Sequence, residues 1–306
     1  MVSKYSNPQG MQNYAAPSLF QPHRMRQALR DAHEGKIPPL IGYWLGLSSV
    51  AYARVVASMG FDVAWIDWEH NSCNVETMTE MVHTIAFMSE GKTIPLVRVP
   101  GHDHAAIGYA LDAGASIVVP QVDTVEQARC VVSATKFGTK CGGSRSGPPF
   151  RLLPGISNTP LKPCMSIFEN LNHQAAIIIQ IESLQGIDNL DDILTAVPNI
   201  DAVWLGTLDC RISMGLDGLA GAEPEWLEAV EKFKSTLAKH DMANSSLALG
   251  TPEQKQQMGE GKAFVVTSAD VAALLGHLGE LSEARELFRP LKQVNKPLQN
   301  GVSHTE

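Results

Sequence analysis

Along this chain, short and almost wholly apolar runs alternate with longer segments whose apolar residues recur at helical spacing. The runs are LIGYW (40–44), VAWID (63–67), IPLVRV (94–99), SIVVP (116–120), AIIIQIE (176–182), AVWLG (202–206), SLAL (246–249) and AFVVT (263–267). Their length and β-branched content predict strands. Helices are predicted between them over 49–59, 75–88, 104–113, 124–134, 187–196, 223–239, 252–259 and 269–288. Strands this apolar leave no wet face, so the repeated βα unit predicts an α/β protein, a closed parallel (β/α)8 TIM barrel. An open doubly wound sheet would need a glycine-rich fingerprint after its first strand, and WLGLSS (44–49) is not one. Residues 1–22 and 291–306 are polar and aperiodic and are expected as disordered tails, which leaves 23–290 as the barrel domain. The stretch 138–175 exceeds an ordinary connection and is expected to act as a lid over the site.

Composition removes several classes of function. Of 306 residues, 44% are apolar and 18% charged, a balance that builds a core and is too apolar for a wholly disordered chain. The formal net charge of −8 argues against nucleic acid or an anionic membrane surface as partner, though a local arginine can still hold a small anion. The five cysteines are an odd number without a CxxC pair, which points to a reducing compartment. No apolar run reaches the roughly 20 residues of a spanning helix, and the first residues lack the apolar stretch of a signal peptide. A soluble, cytoplasmic protein is expected, in which the Asn244-Ser245-Ser246 triplet carries no glycan.

In such a barrel the active site lies at the C-terminal ends of the strands, so polar residues ending apolar runs are the candidates. They are Asp67, Glu69 and His70 after the second run, Arg98 in the third, Gln180 and Glu182 in the fifth, and Gly206 to Asp209 after the sixth. Asp112 stands just ahead of the fourth. Glu182 and Asp209 lie 27 residues apart, one βα unit, which sets two carboxylates side by side on the rim. Mg²⁺ accepts such a pair and keeps its other positions for water and substrate oxygens, whereas no His or Cys cluster suits a structural zinc. The structural alternative has Glu182 capping the next helix and Asp209 serving a turn. His70 is either a structural hydrogen-bonder or, with Asp112 on one ring nitrogen, half of a dyad that moves protons near neutral pH. Arg98 inside the barrel must face anions, either a substrate oxyanion or Asp67 and Glu69. Together these groups suit a 2-oxo acid chelated to a metal, with Arg98 holding the charge of its enolate. The backbone N–H groups of the 206–209 turn, Gly206 and Leu208 among them, would take the substrate carboxylate.

The segments IGYWLGLSS, IDWEH, LVRVP, ALDAGASIVVPQV, IIIQIES and LGTLD, in this order, resemble the HpcH/HpaI aldolase family of metal-dependent class II pyruvate aldolases, from about residue 20 to 285. LFQPHRMRQAL (19–29), SEGKTIPLVRVPGHD (89–103) and ALDAGA (110–115) look most like its fungal branch, the one containing macrophomate synthase. The resemblance implies a barrel of the phosphoenolpyruvate/pyruvate type, with the last helix exchanged between subunits in a homohexamer built as a trimer of dimers. It also implies Glu182 and Asp209 as ligands of a divalent metal, Mg²⁺ first and Mn²⁺ or Co²⁺ as alternatives. Arg98 becomes the enolate-binding residue and His70 the base paired with Asp112. Gln180, Arg145, Asp67, Gly206 and Leu208 become the substrate-binding set. The implied reaction is decarboxylation of oxaloacetate to a pyruvate enolate and carbon–carbon bond formation with an electrophilic acceptor, in secondary metabolism. Cleavage of a hydroxylated 2-oxo acid to pyruvate and an aldehyde uses the same residues, and a non-catalytic barrel serving as a binding or assembly subunit is the third reading. The chain departs from the family pattern at Thr207, where proline is usual, at Arg211, at the large Trp68, and around Ser166-Ile167-Phe168, where a tyrosine is missing.

Overall fold

The computed structural model describes residues 9–138, 140 and 142–289. Among them, eight parallel strands close into a barrel in sequential order. They are β1 (Leu40–Leu45), β2 (Val63–Asp67), β3 (Ile94–Arg98), β4 (Ser116–Val119), β5 (Ile177–Ile181), β6 (Ala202–Leu205), β7 (Asn244–Leu247) and β8 (Phe264–Ala269). β7 begins two residues earlier than its apolar run predicts, because Asn244 and Ser245 pair with β6 through their backbones in spite of polar side chains. Helix α1 (Met25–His33) precedes the sheet. Then follow α2 (Val50–Ala57), α3 (Val75–Met88), α4 (His104–Ala113), α5 (Val125–Thr135), α6 (Ile167–Leu171), α7 (Leu184–Ala196), α8 (Thr207–Ser213), α9 (Pro224–Lys239), α10 (Pro252–Gly259) and α11 (Asp270–Leu287). Ser49, Asn74, Asp103, Thr124 and Ser183 cap the helices that follow five of the strands, each accepting from a first-turn N–H that would otherwise be orphaned.

Alternation along the strands divides the core in two. Ile177, Ile179 and Ile181 face the helices, while Ala176 and Ile178 face the barrel axis with Val63, Trp65, Leu96, Val118, Trp204 and Phe264. The axis holds an aromatic column: Trp44 stacks on Trp65 at 5.7 Å between ring centroids, Trp65 meets Trp204 at 4.9 Å, and Trp204 meets Phe264 at 5.9 Å. Gly42 makes room for it, since a Cβ there would stand 2.6 Å from the Phe264 ring. Helix α1 joins this inner cluster through Met25, Ala28, Leu29 and Ala32. Arg26 ties the helix to Asp201 (2.7 Å) and Asn199 (2.9 Å), just ahead of β6, so α1 closes the N-terminal mouth of the barrel.

Two expectations are corrected here. Residues 9–22 are not a loose tail: Met11 joins the inner cluster, Tyr14 donates to Asp31 (2.8 Å), and buried Gln21 donates to the carbonyls of Ser157 and Thr159. The anchoring runs through scattered contacts, single hydrogen bonds together with Met11 and the Phe20 ring against Phe87 and Phe150, which leave no apolar period. The remaining tail residues, 1–8 and 291–306, lie outside the described residues. The stretch 138–175 is likewise no lid over this chain's own rim. It runs from the end of α5 to the start of β5, and a helix-to-strand connection begins and ends at the N-terminal side of the sheet. Arg151 pins it there, its buried guanidinium donating to the carbonyls of Phe20, Leu111 and Asp112.

The described residues fall into two compact units, one ending at Val271 and the other starting at Ala272 within α11. No helix among them is long and apolar enough to cross a membrane. The aromatic column yields the first expectation. Gly42→Ala forces the Phe264 ring aside in a filled core and should cost about 1–3 kcal/mol, read as a lowered urea midpoint with an unchanged m value.

Candidate active site

The ends of β2 and β3 pair in register, Asp67 beside Arg98. The pairing produces a bidentate salt bridge, with Arg98 Nε donating to Asp67 Oδ1 at 3.0 Å and Nη2 donating to Oδ2 at 2.6 Å. Both side chains are buried. Glu69 Oε2 adds a third contact, 3.2 Å from Arg98 Nε. Beneath them the guanidinium rests on the aromatic column, its central carbon 5.2 Å from the Trp65 ring and 5.8 Å from that of Trp44. Asp67 Oδ1 also accepts from the N–H groups of Glu69 (3.1 Å) and His70 (3.4 Å), and Oδ2 from Trp44 Nε1 (3.3 Å). The carboxylate expected to bind substrate is thus fully engaged, and Asp67 serves to orient Arg98 and to fold the turn that presents Glu69 and His70. Trp68 leaves the site through that turn, donating to the Cys73 carbonyl at 2.7 Å and packing into the outer core.

Glu182 directly follows β5 and is buried. Its Oε2 accepts from the backbone N–H of Gln121 at 3.0 Å, and its Oε1 from Gln180 Nε2 at 3.2 Å. Gly206 lies against it, and a Cβ at that position would collide with Oε1. Burial pushes the Glu182 carboxyl up to about 7, the charges of Asp209 and Glu69 push it the same way, and the Gln121 N–H opposes them. Glu69 is raised as well, first by burial and further by Asp67 and Asp209, against Arg98 and His70. Asp209 sits in the first turn of α8, which begins after Gly206 with no side-chain cap. Leu208 turns an exposed side chain outward, so only its backbone can serve the site. Gln180 Oε1 is buried and has no hydrogen-bond partner among the described residues. Such an orphaned acceptor costs about 1–3 kcal/mol, and functional sites are where such costs are retained.

Two expected members are not brought to this rim within the chain. Asp112 ends α4, below the start of β4, and β4 is four residues long, so it lies roughly 13 Å down the barrel from the rim. There it pairs with Arg145 Nη2 at 2.6 Å, and His70 pairs instead with its neighbour Glu69 at 3.6 Å through an imidazole that is largely exposed. The expected His70–Asp112 dyad is therefore absent from the single chain, because the residue ahead of a strand and the residue after one face opposite ends. Arg145 goes with Asp112, stacked over the Phe137 ring at 4.3 Å, and does not line the rim. Phe168, near the missing tyrosine, packs on Phe137 in the same small cluster. Arg211 points away from Asp209. It is buried, forks onto Glu223 at 2.8 and 2.9 Å, donates to the carbonyls of Asp217 and Gly218, and so clamps the segment between α8 and α9.

Sequence reasoning missed Gln121. Its backbone is left-handed, φ +52°, an unusual conformation for a residue with a side chain, and it is this turn that aims the N–H at Glu182. Any residue type can supply a backbone N–H, so no signal marked it. Among the described residues no three His, Cys, Asp or Glu side chains form a complete metal cage. The Glu182–Asp209 pair fits a hard divalent cation with open positions, since a buried carboxylate whose proton affinity rises in the field of a second gains from a shared dication. Arg98 and Asp67 yield the second expectation. Asp67→Ala strands a buried guanidinium and should cost about 3–5 kcal/mol in chemical denaturation, while Asp67→Asn, which keeps the shape and one acceptor, should cost less.

Residues 40–275 match the family model for HpcH/HpaI aldolase/citrate lyase. The chain is 30% identical over 266 residues to the hydroxypyruvate/pyruvate aldolase of Pseudomonas aeruginosa, covering 85% of this chain and 91% of that protein. It is 31% identical over 267 residues to the 4-hydroxy-2-oxo-heptane-1,7-dioate aldolase of Shigella flexneri, covering 87% and 94%. Among solved structures, macrophomate synthase superposes with a TM-score of 0.81 at 31% identity, covering 90% of this chain and 95% of the other.

Proposed function

The chain belongs to the HpcH/HpaI aldolase/citrate lyase family of class II aldolases and lyases, and we propose that it generates a pyruvate enolate by decarboxylating oxaloacetate and joins it to an electrophilic acceptor. The observation that carries this reading is the Glu182 carboxylate. Both its oxygens are held by donors, Gly206 gives it space, and it lies in the field of Asp209. Glu182 and Asp209 would hold the divalent metal, Mg²⁺, Mn²⁺ or Co²⁺, and that ion, when bound, supplies Lewis-acid polarisation of the 2-oxo acid.

The protein's own groups do the rest. Arg98 spends its Nε–H and one Nη2–H on Asp67, which leaves three N–H donors for the oxygen that becomes an enolate. Asp67 holds it against rotation, so that charge is present before the reaction needs it. Gln180 offers an unused acceptor beside Glu182. His70, exposed and restrained only by Glu69, moves the proton at pyruvate C3 or at the acceptor oxygen. Loss of CO₂ from oxaloacetate leaves its bonding electron pair in the enolate and needs no base. The names of the two curated relatives favour aldehyde acceptors, while the likeness to macrophomate synthase supports a role in secondary metabolism. Leu274, Leu278 and Leu281 recur at helical spacing in α11, an apolar stripe consistent with its exchange between subunits of a homohexamer.

The test is oxaloacetate consumption with and without chelator. Chelation should stop it, and Glu182→Ala should abolish calorimetric Mn²⁺ binding while the circular dichroism stays that of the parent. Unchanged Mn²⁺ affinity in Glu182→Ala would overturn the metal site.

Arg98 and His70 are expected to separate. Arg98→Ala should depress decarboxylation by about 10²-fold or more, the usual loss for one oxyanion donor. His70→Ala should slow deuterium exchange into pyruvate more than it slows decarboxylation, and equal losses in both assays would remove His70 as the base.

A further inference from the structure

The His70 imidazole is largely exposed, and its ion-pair partner among the described residues is its neighbour Glu69 at 3.6 Å. Its aim therefore rests on the backbone that carries it. That backbone is fastened from two sides. On one side Asp67 Oδ1 takes the N–H groups of Glu69 and His70. On the other, Asn71 donates through Nδ2 to the carbonyl of Gly46 at 2.6 Å, which ties the turn after β2 to the turn after β1. The Asn71 carbonyl accepts from the Cys73 N–H at 2.7 Å, and the Cys73 carbonyl takes the Trp68 indole. Residues 68–73 thus close on themselves, and the Asn71 side chain is their bond to the neighbouring strand end.

The Gly46 end of that bond is fixed as well. Asp270 follows β8, opens α11 and is buried. Among the described residues its hydrogen-bond partners are backbone N–H groups: Gly46 at 2.8 Å and Val271 at 2.7 Å on Oδ1, and Leu47 at 2.9 Å on Oδ2. Converging N–H dipoles of this kind are what make a buried carboxylate tolerable without a cation. Gly46 leaves room for the contact, since a Cβ there would stand 2.7 Å from Val271 Cγ2 and 3.0 Å from Asp270 Oδ1. Asp270 therefore fixes Gly46, Gly46 receives Asn71, and Asn71 adjoins His70, so that the ends of β8, β1 and β2 are joined in one chain of bonds.

We propose that Asn71 is a positioning residue for proton transfer at His70, and that Asp270 sets the Gly46 carbonyl on which Asn71 depends. The proposal rests on the reading of His70 above as the group that moves the proton, and adds to it the residues that aim the ring. A base must stand within hydrogen-bond reach of the proton it takes, and a misplacement of about 1 Å can cost about 10²-fold. Arg98 is oriented by its own fork onto Asp67, whereas the His70 ring has no such brace. Loss of the Asn71 bond therefore loosens His70 and leaves Arg98 in place.

Asn71→Ala removes the donor without adding a charge. Amide hydrogen exchange over residues 68–74 should quicken in it, while that of β3 stays as in the parent. With Mn²⁺ present, deuterium exchange into pyruvate should fall by about fivefold or more, the usual effect of one hydrogen bond, while oxaloacetate decarboxylation changes by less than about twofold. In a His70→Ala background the same substitution should cost pyruvate exchange nothing further, because no ring is left to aim. Asp270→Asn, which turns one acceptor into a donor facing an N–H, should give the same selective loss, and if it does not fold the Asn71 variants decide alone. Equal losses in the two assays, a loss that persists in the His70→Ala background, or unchanged hydrogen exchange over 68–74 overturns the proposal. A selective loss in His70→Ala beside an unaffected Asn71→Ala removes the positioning role and leaves the reading of His70 standing, whereas equal losses in His70→Ala remove both.

Discussion

Everything at the rim of this barrel depends on the buried pair between Asp67 and Arg98. A guanidinium inside a barrel is tolerable only if its charge is met in full, and two adjacent strand ends meet it with a fork-to-fork contact. The pair also has a floor, because Trp65 and Trp44 present ring faces to the cation and close the barrel axis beneath it. From this fixed point the neighbouring parts take their places. The turn carrying Glu69 and His70 folds onto Asp67, Trp68 is sent out into the helical layer, and the Asp67 contact takes only two of the five Arg98 N–H donors.

Across the rim the problem is the reverse, an excess of negative charge. Burial raises the proton affinity of Glu182 and Glu69, the charge of Asp209 adds to it at both, and Arg98 acts against it at both, joined by His70 at Glu69. A chain selected for stability alone would dilute such a cluster. Here it is held in place by a left-handed residue, a glycine without which Glu182 would not fit, and a glutamine amide. Strain, crowding and repulsion all fall within one or two residues of Glu182, which is the pattern of a site poised for a cation and an anionic substrate.

The other end of the barrel is built by different means. Helix α1 packs its apolar face into the inner cluster, and residues 9–22 and the stretch after α5 are tied on by arginine and glutamine side chains reaching backbone carbonyls and by the Phe20 ring against Phe87 and Phe150. Arg151 alone joins residue 20, the end of α4 and the long connection. Asp112 and Arg145 belong to this assembly, which is why chemistry assigned to them from position in the chain does not reach the rim within one subunit.

The barrel itself was legible in the sequence because burial on both faces leaves uniformly apolar runs, and eight of them alternating with amphipathic segments allow few other folds. The rim residues were legible for the same reason: a polar residue ending such a run has almost nowhere to be except the mouth of the barrel. Glu182, Asp209, Arg98 and His70 could be named in this way. What position along the chain could not decide was which polar groups meet. Asp112 and Asp67 are both aspartates beside apolar runs, yet one precedes its strand and the other ends one, and only the direction of the strand separates them by the height of the barrel. Gln121 was invisible because its contribution is a backbone N–H set by a torsion angle. The anchoring of residues 9–22 was invisible because isolated hydrogen bonds and single apolar contacts leave no period. The pattern of hydrophobicity determined the architecture, since burial of apolar area is a property of each segment; the pairing of charges and the aim of individual donors were decided only by the closed barrel, since those energies depend on distances between segments that are remote in the chain.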